Sequence, residues 1–426
     1  MSSTTTHSDK SEQSTKNPEK KSLYTILKEE PYWFGSISQA VFLLIAAAIS
    51  FYGIWAGLGL LLFFAALTHG LPMRELNNAK QLFQEKNPDK EFELRYRGVS
   101  HMPADFDAET VAARAKTPYF DAMVYLFHGL HYVLLFTCLF VVAQTESYWV
   151  ALLFAVGLCL YYYPVAESYS HEFIHRRDLF PQMLGGSIWA CFCYGTFLSE
   201  HCMGHHVHVS TPEDPSSAPK NMTIYQFLPR ALRKNAINGF KLEAKRLRNR
   251  NKGPWSLNNR ILWLTGFSFL LLWIFWLVGG SHGVFFFFAQ TIGGLLVIET
   301  ANYVMHYGLE RKKLPNGRYE RVSPLHSWNR EGFTNVGVTN LQRHSDHHAF
   351  PRRPYQNLRF FPEAPEFPLP YELLLYMPYA PKLWFKVMNP CVDRHMDKLA
   401  KWREAGIDDY QEVMNMDGAR IAGNNT

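Results

Sequence analysis

The chain has 426 residues, with 43 Lys and Arg against 37 Asp and Glu, 18 His and a formal net charge of +6. Length alone allows two water-soluble domains, but the placement of charge excludes them: no Lys, Arg, Asp or Glu occurs from Phe34 to Pro72 or from Ile261 to Ile298. From Tyr119 to Ser170 the only charged residues are Asp121, Glu146 and Glu167, and a mild positive excess on such a chain points to anionic lipid or an acidic partner, not to nucleic acid.

Residues Met1 to Lys21 are rich in Ser, Thr, Lys and Glu. They lack the apolar core of a secretory signal, and the segment 1–33 is expected to be disordered. Each uncharged stretch is about twice the roughly 20 residues that span a bilayer, so each reads as a helical hairpin. Helices are expected over 35–51, 56–71, 120–143, 148–168, 261–278 and 284–303, with reversals near Gly53–Trp55, Gln144–Ser147 and Gly279–Gly283. A polar linker fills Arg74–Lys116. The segment Leu179–Thr196 is apolar but interrupted by Gly185 and Gly186, which suggests a shallow re-entrant helix. From Ile224 to Arg250, apolar residues (Ile224, Phe227, Leu228, Leu232, Ile237, Phe240, Leu242, Leu247) recur near helical spacing among Lys and Arg, as in a helix lying on a membrane surface. The turns inside the hairpins carry no Lys or Arg, whereas the longer loops carry many. By the positive-inside rule both termini and all long loops are cytoplasmic. The expectation is an all-α integral membrane protein with six transmembrane helices, residues 34–405 forming one unit and 406–426 a tail. Of the six cysteines, Cys138, Cys159, Cys191 and Cys193 lie in apolar segments, where burial is the plain reading and a disulfide is not expected.

Nine histidines fall into four groups: His171 and His175; His201, His205 and His206; His306; and His344, His347 and His348. Residues at i, i+3 and i+4 share a helix face, so each larger group can aim its imidazoles at one point. His171 follows the fourth helix and His306 the sixth, so the derived topology puts all nine on the cytoplasmic side. Nine imidazoles exceed the six ligands of one octahedral metal, and two metals with open positions fit the count. Imidazole alone leaves zinc, copper, iron and nickel open. Glu172, Glu200 and Asp346, beside these histidines, are expected to hydrogen-bond the far imidazole nitrogens. Asp214, in the run Thr211-Pro212-Glu213-Asp214-Pro215, is a further candidate, with turn formation as its alternative use.

The segments His171-Glu172-Phe173-Ile174-His175-Arg176, Glu200-His201-Cys202-Met203-Gly204-His205-His206 and Leu341-Gln342-Arg343-His344-Ser345-Asp346-His347-His348-Ala349 resemble the three histidine boxes of the membrane alkane 1-monooxygenases and their xylene monooxygenase relatives, within the desaturase-like superfamily. Asn302-Tyr303-Val304-Met305-His306-Tyr307-Gly308-Leu309 resembles that family's further box, and Leu325-His326-Ser327-Trp328-Asn329 is also shared. The likeness runs from about the third helix to Pro390. It implies a di-iron centre held by the nine histidines, dioxygen as co-substrate, and electrons from rubredoxin and rubredoxin reductase as separate chains, since no pair of Cys-x-x-Cys motifs occurs. It also implies a bacterial inner membrane and hydroxylation of the terminal methyl of medium- or long-chain alkanes. Xylene-type hydroxylation of alkylaromatics and fatty-acyl desaturation or hydroxylation are the alternatives. Two positions depart from the alkane enzymes: Met305 stands where they carry Glu, and Phe173, Ile174 and Arg176 replace Leu, Gly and Lys. Phe63 and Phe64 are candidates for lining a hydrocarbon path. A non-catalytic metal transporter would instead place its ligands near mid-membrane on broken helices.

Overall fold

The structure, a computed structural model, describes residues 32–63, 108–361 and 363–407. The expected disorder before Tyr32, Phe64, most of the linker and nearly all of the tail lie outside the described residues. The described residues are mostly helical and contain no β-strand, only isolated bridges such as Asn329 to Glu366.

Four helical segments are long and apolar enough to cross a membrane: Gly35–Tyr52, Val111–Thr145, Tyr148–Ile174 and Arg260–His306. The first is α1; α2, Ile54–Phe63, is shorter. Gly53, at a φ of +83°, reverses the chain between them, and Gly57 backs onto Ile49. A short helix α3, Ala108–Ala115, precedes α4, Pro118–Thr145. Pro118 suits the first turn because its missing N–H would have no partner there anyway. Glu146, in the left-handed region, ends α4, and the Ser147 side chain caps α5, Tyr148–Ile174.

The segment Arg260–His306 has 47 residues, about 70 Å if straight, more than twice a bilayer. It is not straight. Gly280 has φ 53° and ψ −136°, and Phe275 lies 5.7 Å from Phe286, ring to ring. Eleven residues along one helix would be about 16 Å apart, so the chain folds back into α9 (260–279) and α10 (281–306). The outward faces carry Phe51, Trp149, Phe269, Trp273 and Trp276, all exposed. An apolar, Trp-bearing surface of this extent is what lipid covers.

In α5 a π-helical turn, Leu158–Tyr162, precedes Pro164. Proline cannot donate to the carbonyl four residues back, and the Tyr376 hydroxyl donates to that Leu160 carbonyl instead. The helix then runs on to Ile174, past the apolar stretch, because the buried Ser168, Ser170 and His171 on its last turns face protein rather than lipid. Similarly α10 continues to His306.

Three expectations change. Leu179–Cys191 is one continuous helix, α6. Gly185 does not interrupt it but allows close approach: a Cβ there would lie 2.8 Å from the Ser170 carbonyl of α5. The amphipathic segment is helix α8, Ile224–Arg248, opened by a Thr223–Gln226 capping box. Its inner stripe of Ile224, Phe227, Ala231, Asn235, Gly239, Glu243 and Leu247 is buried against residues 197–208 and α10, so the protein, not a membrane surface, covers that face. Arg246 and Arg260 hold Glu243, whose carboxyl they pull down to about 2 against the effect of its burial. Finally, Tyr32 is already packed, with its hydroxyl accepting from Asn340 Nδ2 at 2.7 Å. All six cysteines are free thiols, and Cys193 is exposed.

The hairpin packing is testable. A Cβ at Gly283 would lie 2.1 Å from the Phe275 carbonyl, whereas one at Gly129 meets open space. Gly283→Ala is expected to cost about 1–3 kcal/mol, as overpacking does, and to lower the thermal unfolding midpoint in detergent. Gly129→Ala should leave that midpoint unchanged or raise it slightly.

Candidate metal centre

All nine histidines of the four groups converge, but not group by group. The nitrogens of His171, His175, His201, His206 and His347 form one set, and those of His205, His306, His344 and His348 another, each within 4.8 Å. Local geometry makes this division. Residues 197–208 form α7, whose middle, His201–His205, is a π-helical turn. A π turn bonds i to i+5, and His206 N–H donates to the His201 carbonyl, so His201 and His206 share a face while His205 points to the second set. On α11, His344–Ala349, the i, i+4 pair His344 and His348 faces the second set and His347 turns to the first. The single focus expected for each sequence group is therefore corrected.

Within the sets, Nε2 of His201 is 2.8 Å from Nε2 of His171 and 3.1 Å from that of His206. Nε2 of His347 is 3.0 Å from that of His206. In the second set, His344 Nε2 is 3.1 Å from His306 Nε2 and 3.0 Å from His348 Nε2. One imidazole nitrogen shares at most one proton, so hydrogen bonding does not account for the convergence on His201. Two nitrogens at right angles on a divalent metal with bonds of about 2.1 Å lie about 3.0 Å apart, against about 3.4 Å at a tetrahedral angle. The separations match the first. The Nε2 atoms of His175 and His205 have no hydrogen-bond partner, as donors to an ion require. Burial first, and neighbouring imidazoles second, hold His201, His206, His344, His347 and His348 well below the ordinary imidazole pKa. They are neutral at pH 7, the form that binds metal.

The four acids beside these boxes have distinct partners. Asp214 accepts from His205 Nδ1 at 2.9 Å, and also from Ser216 N and Ser217 Oγ. That bond places the proton on Nδ1 and leaves the Nε2 lone pair free. Glu172 pairs with Arg176, which also binds Asp121 of α4, at 2.9 Å each. Asp346 takes Arg353 and Arg359, at 3.0 Å each, and the Arg359 backbone N–H. These two acids anchor the backbone that carries the histidines, pairing with arginines and not with imidazoles. Glu200 is buried with Oε2 unpartnered. Burial, then repulsion from Asp214 and Glu299, lifts its carboxyl well above the usual range, a balance that a nearby dication would reverse. At Gly204 a Cβ would crowd the Glu200 carboxylate at 2.8 Å and Leu242 at 3.0 Å.

Several supporting residues carry no histidine-box signal. Glu299 on α10 is fully buried and accepts from Tyr194 Oη at 2.6 Å and Asn235 Nδ2 at 3.2 Å. Asn235 also donates to Ser216 Oγ at 2.9 Å, linking α8 and α10 to the loop that holds Asp214. Arg343 binds Glu331 at 2.6 Å. Asn329 Oδ1 accepts from Ser345 N and so caps α11, while Trp328 Nε1 donates to the Tyr307 carbonyl. The Ser-Trp-Asn run thus ties the His306 segment to the last histidine group. His326 is spent elsewhere, on Ser323 and Glu320.

A cavity opens on both sets, lined by His171 and His201 of the first and His344 of the second. Its other walls are mainly apolar, including Trp189, Phe197, Ile298, Met305, Leu341 and Leu375. Phe63 is exposed and does not line it.

Metal analysis should distinguish the sets. His201→Ala and His205→Ala are each expected to reduce bound metal from two ions to one, with different spectroscopic sites surviving. Asp214→Asn, which weakens the bond to the far nitrogen of His205 together with those from Ser216 and Ser217, should lower affinity about 10–100-fold at one site, measured by chelator competition.

Residues 147–377 match the fatty acid desaturase family. The chain is 42% identical over 234 residues to alkane 1-monooxygenase 2 of Alcanivorax borkumensis, covering 55% of this chain and 61% of that one. It is 34% identical over 290 residues to the alkane 1-monooxygenase of Acinetobacter baylyi, covering 68% and 71%. It is 28% identical over 225 residues to the xylene/toluene monooxygenase hydroxylase component of Pseudomonas putida, covering 51% and 58%. The match thus spans about three-fifths of the Alcanivorax relative's length. On the family match and these identities, the chain belongs to the alkane 1-monooxygenase branch of the fatty acid desaturase family.

Proposed function

We propose that this chain is a membrane monooxygenase that holds two iron ions on the nine histidines and hydroxylates the terminal methyl of medium- or long-chain alkanes. The observation that carries this reading is the apolar cavity faced by His171, His201 and His344 at once. A hydrocarbon in that cavity meets both histidine sets, and Ile298, Met305, Leu341 and Leu375 offer it only apolar surface. Bound iron supplies the redox chemistry that divides dioxygen between the substrate and water, consuming two electrons and two protons. The chain's own part is placement and exclusion of water. Asp214 orients His205, and the anchors on Glu172 and Asp346 fix the histidine-bearing backbone. The buried ring stack of Trp189, Phe197 and His201 walls off solvent, with centroids 4.2 and 4.8 Å apart.

The proposed topology has six spans, with α9 and α10 counted separately and the uncharged sequence 56–71 counted as the second. The positive-inside rule then puts the metal centre in the cytoplasm. Electrons arrive from rubredoxin. Arg233, Lys234, Lys241, Lys245 and Arg248 on the outer face of α8 are exposed, while Asn235 and Gly239 on its inner face are buried against the centre's supports. An acidic carrier docked there would be about one helix diameter, 10–12 Å, from those supports.

Two second readings have an observation each: acyl-lipid oxidation from the family match, and alkylaromatic hydroxylation from the xylene/toluene relative. Whole cells supplied with an alkane, a xylene and a fatty-acyl substrate should convert the alkane to its 1-alcohol only with oxygen. His171→Ala and His344→Ala should reduce conversion to background. Conversion of only the xylene or the acyl substrate would replace the alkane reading. With purified components, raising salt should slow reduction by rubredoxin and leave reduction by a small neutral donor unchanged.

A further inference from the structure

Glu167 lies one helical turn before His171 on α5, faces the same cavity and is 3% exposed. Its Oε1 has no hydrogen-bond partner. Trp189 on α6 is fully buried, lines the same cavity, and its indole Nε1 also has no partner. Native proteins leave few such atoms, because each has given up its hydrogen bonds to water without replacement. These two share one space, and the proposed metal ligation uses neither. Met305, beside His306, brings a thioether to the cavity, so Glu167 is the one carboxyl among its lining residues. The indole is placed by its ring contact with Phe197, which stacks on His201. Both residues thus line the cavity together with His171, His201 and His344.

A purely hydrocarbon ligand satisfies neither atom. An ether or ketone can accept from the indole but cannot donate to a carboxylate. A hydroxyl does both, and it serves the carboxyl whether that group is ionised or neutral. We propose that Glu167 and Trp189 form a hydroxyl-binding subsite, and that the cavity takes hydrophobic alcohols in preference to alkanes of equal length. A site built to bond a hydroxyl disfavours the analogue lacking it, because its own buried groups stay unpaired. The subsite deepens the monooxygenase reading and rests on the cavity being where substrate binds.

The test uses the full chain, metal-loaded, in lipid nanodiscs, with 1-decanol and decane as probes. Adding 1-decanol should shift a buried-carboxyl infrared band that decane leaves unmoved and that Glu167→Gln lacks. The concentration of 1-decanol that halves decane turnover, set against that of undecane as a control competitor, should rise about tenfold in Glu167→Leu and in Trp189→Phe, the effect of losing one hydrogen bond. Variants are compared at equal metal content, and the isosteric Glu167→Gln guards against misfolding of the leucine variant. No alcohol-dependent carboxyl band, together with an unchanged ratio in the variants, would overturn the subsite and leave the two atoms to water alone. If the wild-type chain turns over no decane, the monooxygenase reading fails separately, and the infrared arm still decides whether alcohol meets Glu167.

Discussion

Nine imidazoles whose nitrogens converge in two sets are the constraint on which this structure depends. Neutral imidazoles aim lone pairs at one another across 2.8–3.1 Å. Such an arrangement is repulsive unless protons or cations sit between them, and burial makes protonation unfavourable. The same burial that lowers the basicity of His201 or His347 strengthens their attraction for a dication. The centre is thus preset for metal by exclusion of water.

Holding nine rings in place takes more than nine histidines. The backbone is anchored by ion pairs that do not touch the imidazoles: Arg176 between Glu172 and Asp121, Arg353 and Arg359 on Asp346, Arg343 on Glu331. Buried pairs of this kind contribute little net stability against hydrophobic replacements, yet breaking one leaves an uncompensated charge. Their effect here is register, since each fixes a segment that bears ligating nitrogens. Asp214 alone of the four expected acids acts on an imidazole directly. Through Ser216 and Asn235 its loop reaches Glu299 on α10.

The membrane-facing and protein-facing surfaces of the long helices differ in kind. α9 turns Phe269, Trp273 and Trp276 outward, whereas the last turns of α5 and α10 are polar and covered. The centre sits where the apolar helices end and a lid of loops and amphipathic helices begins. That position lets a mainly apolar cavity reach the histidines while the basic outer face of α8 stays exposed.

The helical membrane class, the three chain reversals and the nine histidines were legible because each rests on local chemistry: absence of charge, glycine or polar turn residues, and ring nitrogens at short spacing. Gly53, Glu146 and Gly280, each at positive φ, turn near the middle of the three long apolar stretches. The division of the histidines into five and four was not legible, because the π turn at His201–His205 rotates His206 away from the face that α-helical spacing predicts. Nor was the burial of α8, whose inner stripe includes Asn235 and Glu243, polar residues that read as surface until Arg260 and Glu299 arrive from distant sequence. Glu167 and Trp189 looked like ordinary residues of apolar segments, and only packing brought them to one cavity. The sequence by itself determined the ligand chemistry and the membrane class, since composition and spacing specify both. The tertiary structure decided which nitrogens meet and which polar atoms are left unpaired, since both depend on contacts between residues far apart in the chain.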